Sequence, residues 1–178
     1  MKALIVTWEK FQDHEVIYPY YRLLEEGFEV DIMSNALGRI HGIMGTNMES
    51  TLLVSELNNH DRYNQLISDY DIMVVPGGVK ALEKLRQEEK VLHFINDWNN
   101  KRKVIASTCH GAQLLISSKV VNGRKVSGYY SIKDDINNAG AIYVDEPAVV
   151  DDNLVSSPHY KWMGEWMKSA IDVYNQRK

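Results

Sequence analysis

The chain is short of cysteine, with one in 178 residues, so it cannot form an internal disulfide. A lone thiol survives best in a reducing compartment, and a cytoplasmic protein is expected. Long apolar runs are also missing. The opening MKALIVTWEK holds too short an apolar stretch for a signal peptide, and nothing further on would span a bilayer, so a membrane partner is not expected. Positive charge has no excess: 20 Lys and Arg stand against 24 Asp and Glu, for a formal net charge of -4. Without a basic patch interleaved with aromatics there is no electrostatic footprint for nucleic acid. Metal-ligand spacing such as His-x-x-x-His is absent among the six histidines, as are a P-loop and a G-x-G-x-x-G turn. No metal and no cofactor are expected. There is no repeat, low-complexity tract or linker, so residues 1–178 read as a single domain with one core.

What the chain does contain is an alternation of short β-branched runs and longer helical patterns. Residues 2–7, 28–33, 71–75, 104–106, 125–129, 142–150 and 153–156 read as strands, with a small β excursion over 38–54. Helical spacing covers 15–26, 58–68, 81–100 in one or two pieces, 111–118 and 160–175. That order implies βαβ units, giving an α/β fold with a mostly parallel sheet and helices on both faces. Ligands of such sheets bind at the carboxyl ends of the strands. Three loops are placed there: residues 8–14, 76–80 and 107–110.

The single cysteine lies in the third of these. Ser107-Thr108-Cys109-His110-Gly111 follows a strand and precedes a helix. It has the form of a nucleophile elbow, G-x-S-x-G with Cys for Ser and Ser for the first Gly. A turn that sharp needs small residues on either side of the nucleophile, and Ser107 and Gly111 supply them. Taken alone, a free cysteine is most often a small buried hydrophobe. The strand–elbow–helix context favours a reactive thiol, with a thiolate stabilised at the start of the following helix. Adjacency does not by itself place the His110 imidazole on the sulfur. His110 is either the base of a Cys–His pair or a first-turn residue lending its backbone N–H to an oxyanion.

Gly77 and Gly78 close the strand at 71–75, and a glycine pair there can present bare N–H groups to a substrate oxygen. Glu15 follows the loop after the first strand. Ionised, it would raise the thiol pKa. Buried and protonated, it would donate a hydrogen bond to the sulfur; the bland alternative is a solvated residue in a first helical turn. His14 and His159 either border the pocket or are ordinary surface or core residues. The Trp162, Met163, Trp166 and Met167 stripe reads as core, and Asn99–Lys103 as a solvated helix end.

The stretches FQDHEVIYPYYRLLEEGFEV, VVPGG, ASTCHGAQLLIS, GRKVSGYYSIKDDINNAG and AVVDDNLVSS, in that order, resemble the PfpI-type intracellular proteases of the ThiJ/PfpI superfamily, which includes Parkinson disease protein seven. The resemblance spans nearly the whole chain. It implies a flavodoxin-like three-layer sandwich of the class I glutamine amidotransferase-like kind. It also implies Cys109 as nucleophile, Glu15 as the acid hydrogen-bonded to it, Gly78 and the His110 backbone as the oxyanion site, and Glu83 reaching His110 from a neighbouring subunit of a dimer or hexamer.

Three positions depart from the family pattern. Gln12 stands where Glu is usual, and Trp8 is bulky where a small residue is usual. Ser156-Ser157-Pro158-His159-Tyr160 replaces Ser-Arg-x-Pro-x-Asp. The leading expectation is a cysteine enzyme of deglycase or glyoxalase type, with a small carbonyl or protein-bound adduct as partner. Alternatives are an intracellular peptidase and a redox-sensing stress chaperone whose cysteine oxidises to sulfinate. An amidotransferase would want a late His-x-Glu, and a flavodoxin a Ser/Thr/Gly-rich phosphate loop where WEKFQDH stands; neither is present.

Overall fold

A computed structural model describes all 178 residues. In chain order the elements are β1 (Lys2–Val6), α1 (Asp13–Glu25), β2 (Glu29–Ser34), β3 (Gly38–His41), β4 (Asn47–Ser50), β5 (Leu52–Leu53), α2 (His60–Asp69), β6 (Ile72–Val75), α3 (Val79–Leu85) and α4 (Glu89–Asn100). There follow β7 (Val104–Thr108), α5 (Ala112–Ser117), β8 (Lys125–Val126), α6 (Lys133–Asn138), β9 (Ile142–Tyr143), β10 (Val149–Asp151), β11 (Leu154–Ser157) and α7 (Met163–Gln176). Seven strands form the central sheet in the order β10-β11-β7-β6-β1-β2-β5. Only the edge pair β10–β11 is antiparallel.

Strands covered on both faces read as continuous apolar runs. In accordance, every residue of β6 and β7 is buried. Helices α1 and α7 pack together on one face, while α2, α4 and α5 are linked to one another on the other. Each face is pinned by a fully buried tryptophan whose indole N–H reaches a strand carbonyl. Trp98 of α4 donates to Val104 at 3.1 Å and Trp166 of α7 to Val155 at 3.3 Å. The Trp166–Met167 stripe is therefore core, and no helix is long and apolar enough to cross a membrane.

Two strand expectations need correction. Residues 38–54 do not form a self-contained excursion: β3 and β4 make a hairpin, but β5 joins the edge of the main sheet beside β2. The run 142–150 is not one strand. Its start pairs with β8 in a separate two-stranded parallel unit, and its end starts the β10–β11 hairpin. Asp145, Glu146 and Pro147 interrupt it, and the residue before a proline is pushed out of regular pairing.

The order of strands fixes the site. From β1 the chain moves outward to β2 through α1; it then crosses back to β6 on the other side of β1 and continues outward to β7. The crevice between β1 and β6 is thus the switch point of a doubly wound sheet, where the loops diverge and ligands bind. The loop after β1, the glycines after β6 and the elbow after β7 all emerge beside it.

Candidate active site

The elbow is a strained turn. Cys109 has φ of 55°, in the left-handed region that a side chain rarely adopts and that costs on the order of 1–3 kcal/mol. Its neighbours hold it there. A Cβ at Gly111 would stand 2.4 Å from the Val75 carbonyl oxygen, so only glycine lets the elbow sit against the end of β6. On the other side the Tyr129 N–H donates to the Cys109 carbonyl at 3.0 Å. The sulfur is 3.4 Å from His110 Nδ1, so the imidazole does lie on the thiol. This is possible because Cys109 has left-handed rather than helical backbone geometry, so the usual divergence of adjacent helix side chains does not apply.

Glu15 arrives from α1. The Gln12 side chain caps this helix by accepting from the His14 N–H at 2.8 Å, and buried Asp13 accepts from the Met44 and Thr46 N–H groups, tying the β3–β4 hairpin to the loop. Pro19 has no N–H to give the Glu15 carbonyl four residues back, so the first turn is held by tertiary contacts instead. Glu15 is completely buried, and its Oε2 accepts from the Gly77 N–H at 2.5 Å. Its Oε1 is buried without a conventional hydrogen-bond donor. Gly77 is wedged in this cluster: a Cβ there would lie 2.5 Å from Glu15 Oε2 and 3.1 Å from the Cys109 Cβ.

Burial raises the Glu15 carboxyl to about 7, against the pull of the Gly77 N–H. Burial also pushes the Cys109 thiol up, and the Glu15 charge pushes the same way, opposed by the His110 backbone N–H. Burial thus favours the protonated form of each group, and the two resist ionising together. A protonated Oε1 is a donor toward the Cys109 sulfur, which gives that buried oxygen a partner. Helix α5 has only six residues and contributes little dipole, so the thiolate stabilisation expected from a helix start is outweighed by burial, which holds the thiol up. The His110 ring is pushed down by burial, and is neutral near pH 7.

The other candidates fall as follows. The Gly77 N–H is occupied by Glu15, so it does not face a substrate oxygen. Gly78 has φ of 103°, and its N–H has no backbone partner. Trp8 is half-buried and packed on the core. Glu83 is exposed on α3, paired with Lys80 of its own helix at 3.6 Å, and makes no hydrogen bond to His110. Gly128 and Tyr129, not singled out in the sequence, and His159, named there as a pocket candidate, complete the surround. Tyr129 packs on His110 at 4.7 Å, and a Cβ on Gly128 would stand 3.3 Å from the Cys109 carbonyl oxygen. His159 and Tyr160, from the departing segment after β11, continue the ring line to His14. The Gly-Tyr-Tyr triplet at 128–130 was the available signal, but nothing local ties it to residue 110.

The model of the DJ-1/PfpI family matches residues 1–173. Over 172 residues the chain is 41% identical to a protein named deglycase PfpI from Pyrococcus furiosus, covering 94% of this chain and 98% of that one. A deglycase of Pyrococcus horikoshii is 42% identical over the same shares. A ThiJ/PfpI domain protein from Brachyspira murdochii superposes with a TM-score of 0.88 over 98% of this chain and 96% of its own, at 19% identity, which supports the flavodoxin-like fold.

Proposed function

The chain belongs to the DJ-1/PfpI family, and from that premise we propose that it is a cysteine enzyme acting on reactive 1,2-dicarbonyls and on the adducts they form with amines. The observation that carries this reading is the buried Glu15 carboxyl set against Cys109, a proton carrier beside a nucleophile. The Cys109 sulfur bonds to the aldehyde carbon of the dicarbonyl, and the Glu15 proton passes to the carbonyl oxygen, giving a hemithioacetal. The Glu15 carboxylate, with His110 beside it, then carries the hydrogen from the first carbon to the second, leaving a thioester of a 2-hydroxy acid. Water cleaves the thioester and restores the thiol. From a glycated amine the same sequence releases the free amine before the thioester forms. The Gly78 N–H and the His110 N–H are the donors to the developing oxyanion.

Peptide hydrolysis would require Glu83 of a second copy to orient His110, and within this chain Glu83 is engaged with Lys80. The carbonyl chemistry needs no second subunit. A homo-oligomer in the cytoplasm is compatible with it.

The test is methylglyoxal consumption with 2-hydroxy acid formation, together with the Glu15→Gln variant. Loss of the proton carrier is expected to lower kcat by about a hundred-fold with KM little changed, and to remove an ionisation near 7 from the pH–rate profile. An unchanged profile would take Glu15 out of the mechanism. Stability gives an independent readout. The folded-state value of about 7 lies above the ordinary 4.5, so the native state holds the proton more tightly. Its stabilising contribution is complete below 4.5 and is lost as pH rises through 7. Relative to the Gln variant, the wild type is expected to lose about 3 kcal/mol over that interval in urea titrations.

A further inference from the structure

Resting on this carbonyl chemistry, we propose that the Thr108 and Ser157 hydroxyls lodge a buried water beside Cys109, and that this water cleaves the thioester. The starting observation is where the protein leaves buried polar groups unpaired. Apart from Glu15 Oε1, which faces the sulfur, the buried side-chain oxygens without a partner are the hydroxyls of Thr7, Ser107, Thr108, Ser127 and Ser157. All of them lie at the carboxyl end of the sheet, around the elbow. A buried hydroxyl without a hydrogen bond costs free energy, and ordered water regularly completes such groups in folded proteins. Unpaired groups scattered through the core would be accidents of packing. Unpaired groups confined to the reactive end call for a common occupant.

Strand register narrows the place. In the parallel β7–β11 pair Thr108 is opposite Ser157, and Ser107 is opposite Ser156. Opposite residues of such a pair point to the same face, and successive residues alternate between faces. The Ser107 Oγ lies 3.0 Å from the Cβ position of Gly111, so that rung faces the side on which α5 packs. There the Ser156 Oγ accepts from the Ser127 N–H at 2.8 Å. Thr108 and Ser157 therefore face the other side, where α1 brings Glu15 and α7 packs against both strands. Adjacent strands stand about 4.8 Å apart, too far for their hydroxyls to bond directly. One water about 2.8 Å from each closes that span, and it needs only about 15 Å³.

The placement meets a need of the reaction. Cys109 is only 6% exposed and Glu15 is completely buried, so bulk water has little access to the bond that must be cleaved. Thr108 directly precedes the nucleophile. In the last step the water oxygen bonds to the thioester carbon and its proton passes to the Glu15 carboxylate. The carbon–sulfur bond breaks with its electron pair on sulfur, and the 2-hydroxy acid is released. Thr108 and Ser157 are positioning residues here, since they hold the water and do not touch the reacting carbon.

The experiment uses Thr108→Val, which deletes a hydroxyl and keeps the shape, Ser157→Ala, and the two combined. A hydroxyl that holds a water loses a bonded partner on substitution, so the urea midpoint of each single variant is expected to fall. A hydroxyl with no partner at all is better replaced by an apolar group, and a midpoint that rises in either variant overturns the site. Single-turnover reaction with methylglyoxal, followed by intact mass, reads the chemistry. The double variant is expected to hydrolyse its thioester about ten-fold more slowly than the wild type while forming it at a rate within about two-fold, so the acyl-enzyme accumulates. Thr108→Ser, which keeps a hydroxyl, is expected to hydrolyse like the wild type. Hydrolysis unmoved in the double variant overturns the role of the water. A wild type that forms no thioester removes the carbonyl reading, and the water site is then decided on the resting protein by NMR. Cross-relaxation from water to the Thr108 and Cys109 amides in the wild type, lost in the double variant, supports the site. Its absence from the wild type overturns it.

Discussion

Replacing Cys109 by alanine is expected to lower methylglyoxal consumption by about a thousand-fold or more while leaving the protein folded. The sulfur is the only group in the cluster that can form the covalent bond; Glu15 and His110 move protons and cannot substitute for it. Removing a nucleophile collapses the pathway rather than trimming one contribution, because the remaining groups act only on the bond it makes. Stability should change little. Cys109 is small, and alanine at φ of 55° bears about the same backbone strain as cysteine. Only the sulfur's contacts are lost, and so is the burden of keeping a thiol and a carboxyl together out of water. The thermal midpoint of the variant is expected within a few degrees of the wild type. Substantial remaining turnover in a folded variant would refute the assignment of Cys109 as nucleophile.

Gly111→Ala is expected to be strongly destabilising, with a loss of about 3–5 kcal/mol in urea unfolding. The added Cβ would meet the Val75 oxygen at 2.4 Å, the Ser107 Oγ at 3.0 Å and the Pro76 oxygen at 3.2 Å. Two of the three are backbone atoms at the end of β6. That strand cannot retreat without parting from β7, to which Val75 and Ser107 are paired in register. The same substitution at Gly123 makes a useful contrast. Gly123 also has positive φ, 76°, but nothing lies within 4 Å of its Cβ position, so about 1 kcal/mol of backbone strain is all that is expected there. Equal losses at the two positions would mean that the elbow is not packed against β6 as described.

The helices at 13–25 and 163–176 and the buried strands were legible because helical spacing and continuous β-branched runs are local signals. The break in 142–150 was missed although Pro147 marked it, since two short strands with a polar gap have nearly the composition of one longer strand. The elbow was legible from five consecutive residues. The contact of the His110 ring with the sulfur was not, since it depends on the left-handed backbone of Cys109. The role of Gly77 was misread for a related reason. The sequence offers a bare N–H, but only the fold shows that the Glu15 carboxylate takes it.

By itself, then, the order of residues determined that this chain alternates strands and helices, that its one cysteine sits on a strand-to-helix turn, and that no helix is long and apolar enough to cross a membrane. Those properties follow from periodicity and residue type within a few neighbouring positions. Tertiary structure decided the rest. By inserting β6 beside β1, the sheet order brings the Gly77 N–H onto Glu15 across 62 positions of sequence. Packing then buries that carboxyl beside Cys109, which raises it to about 7. The line of rings from His110 to His14 likewise exists only because four distant segments meet at one edge of the sheet. A protonation state depends on what surrounds a group in space, and no local pattern of sequence carries that information.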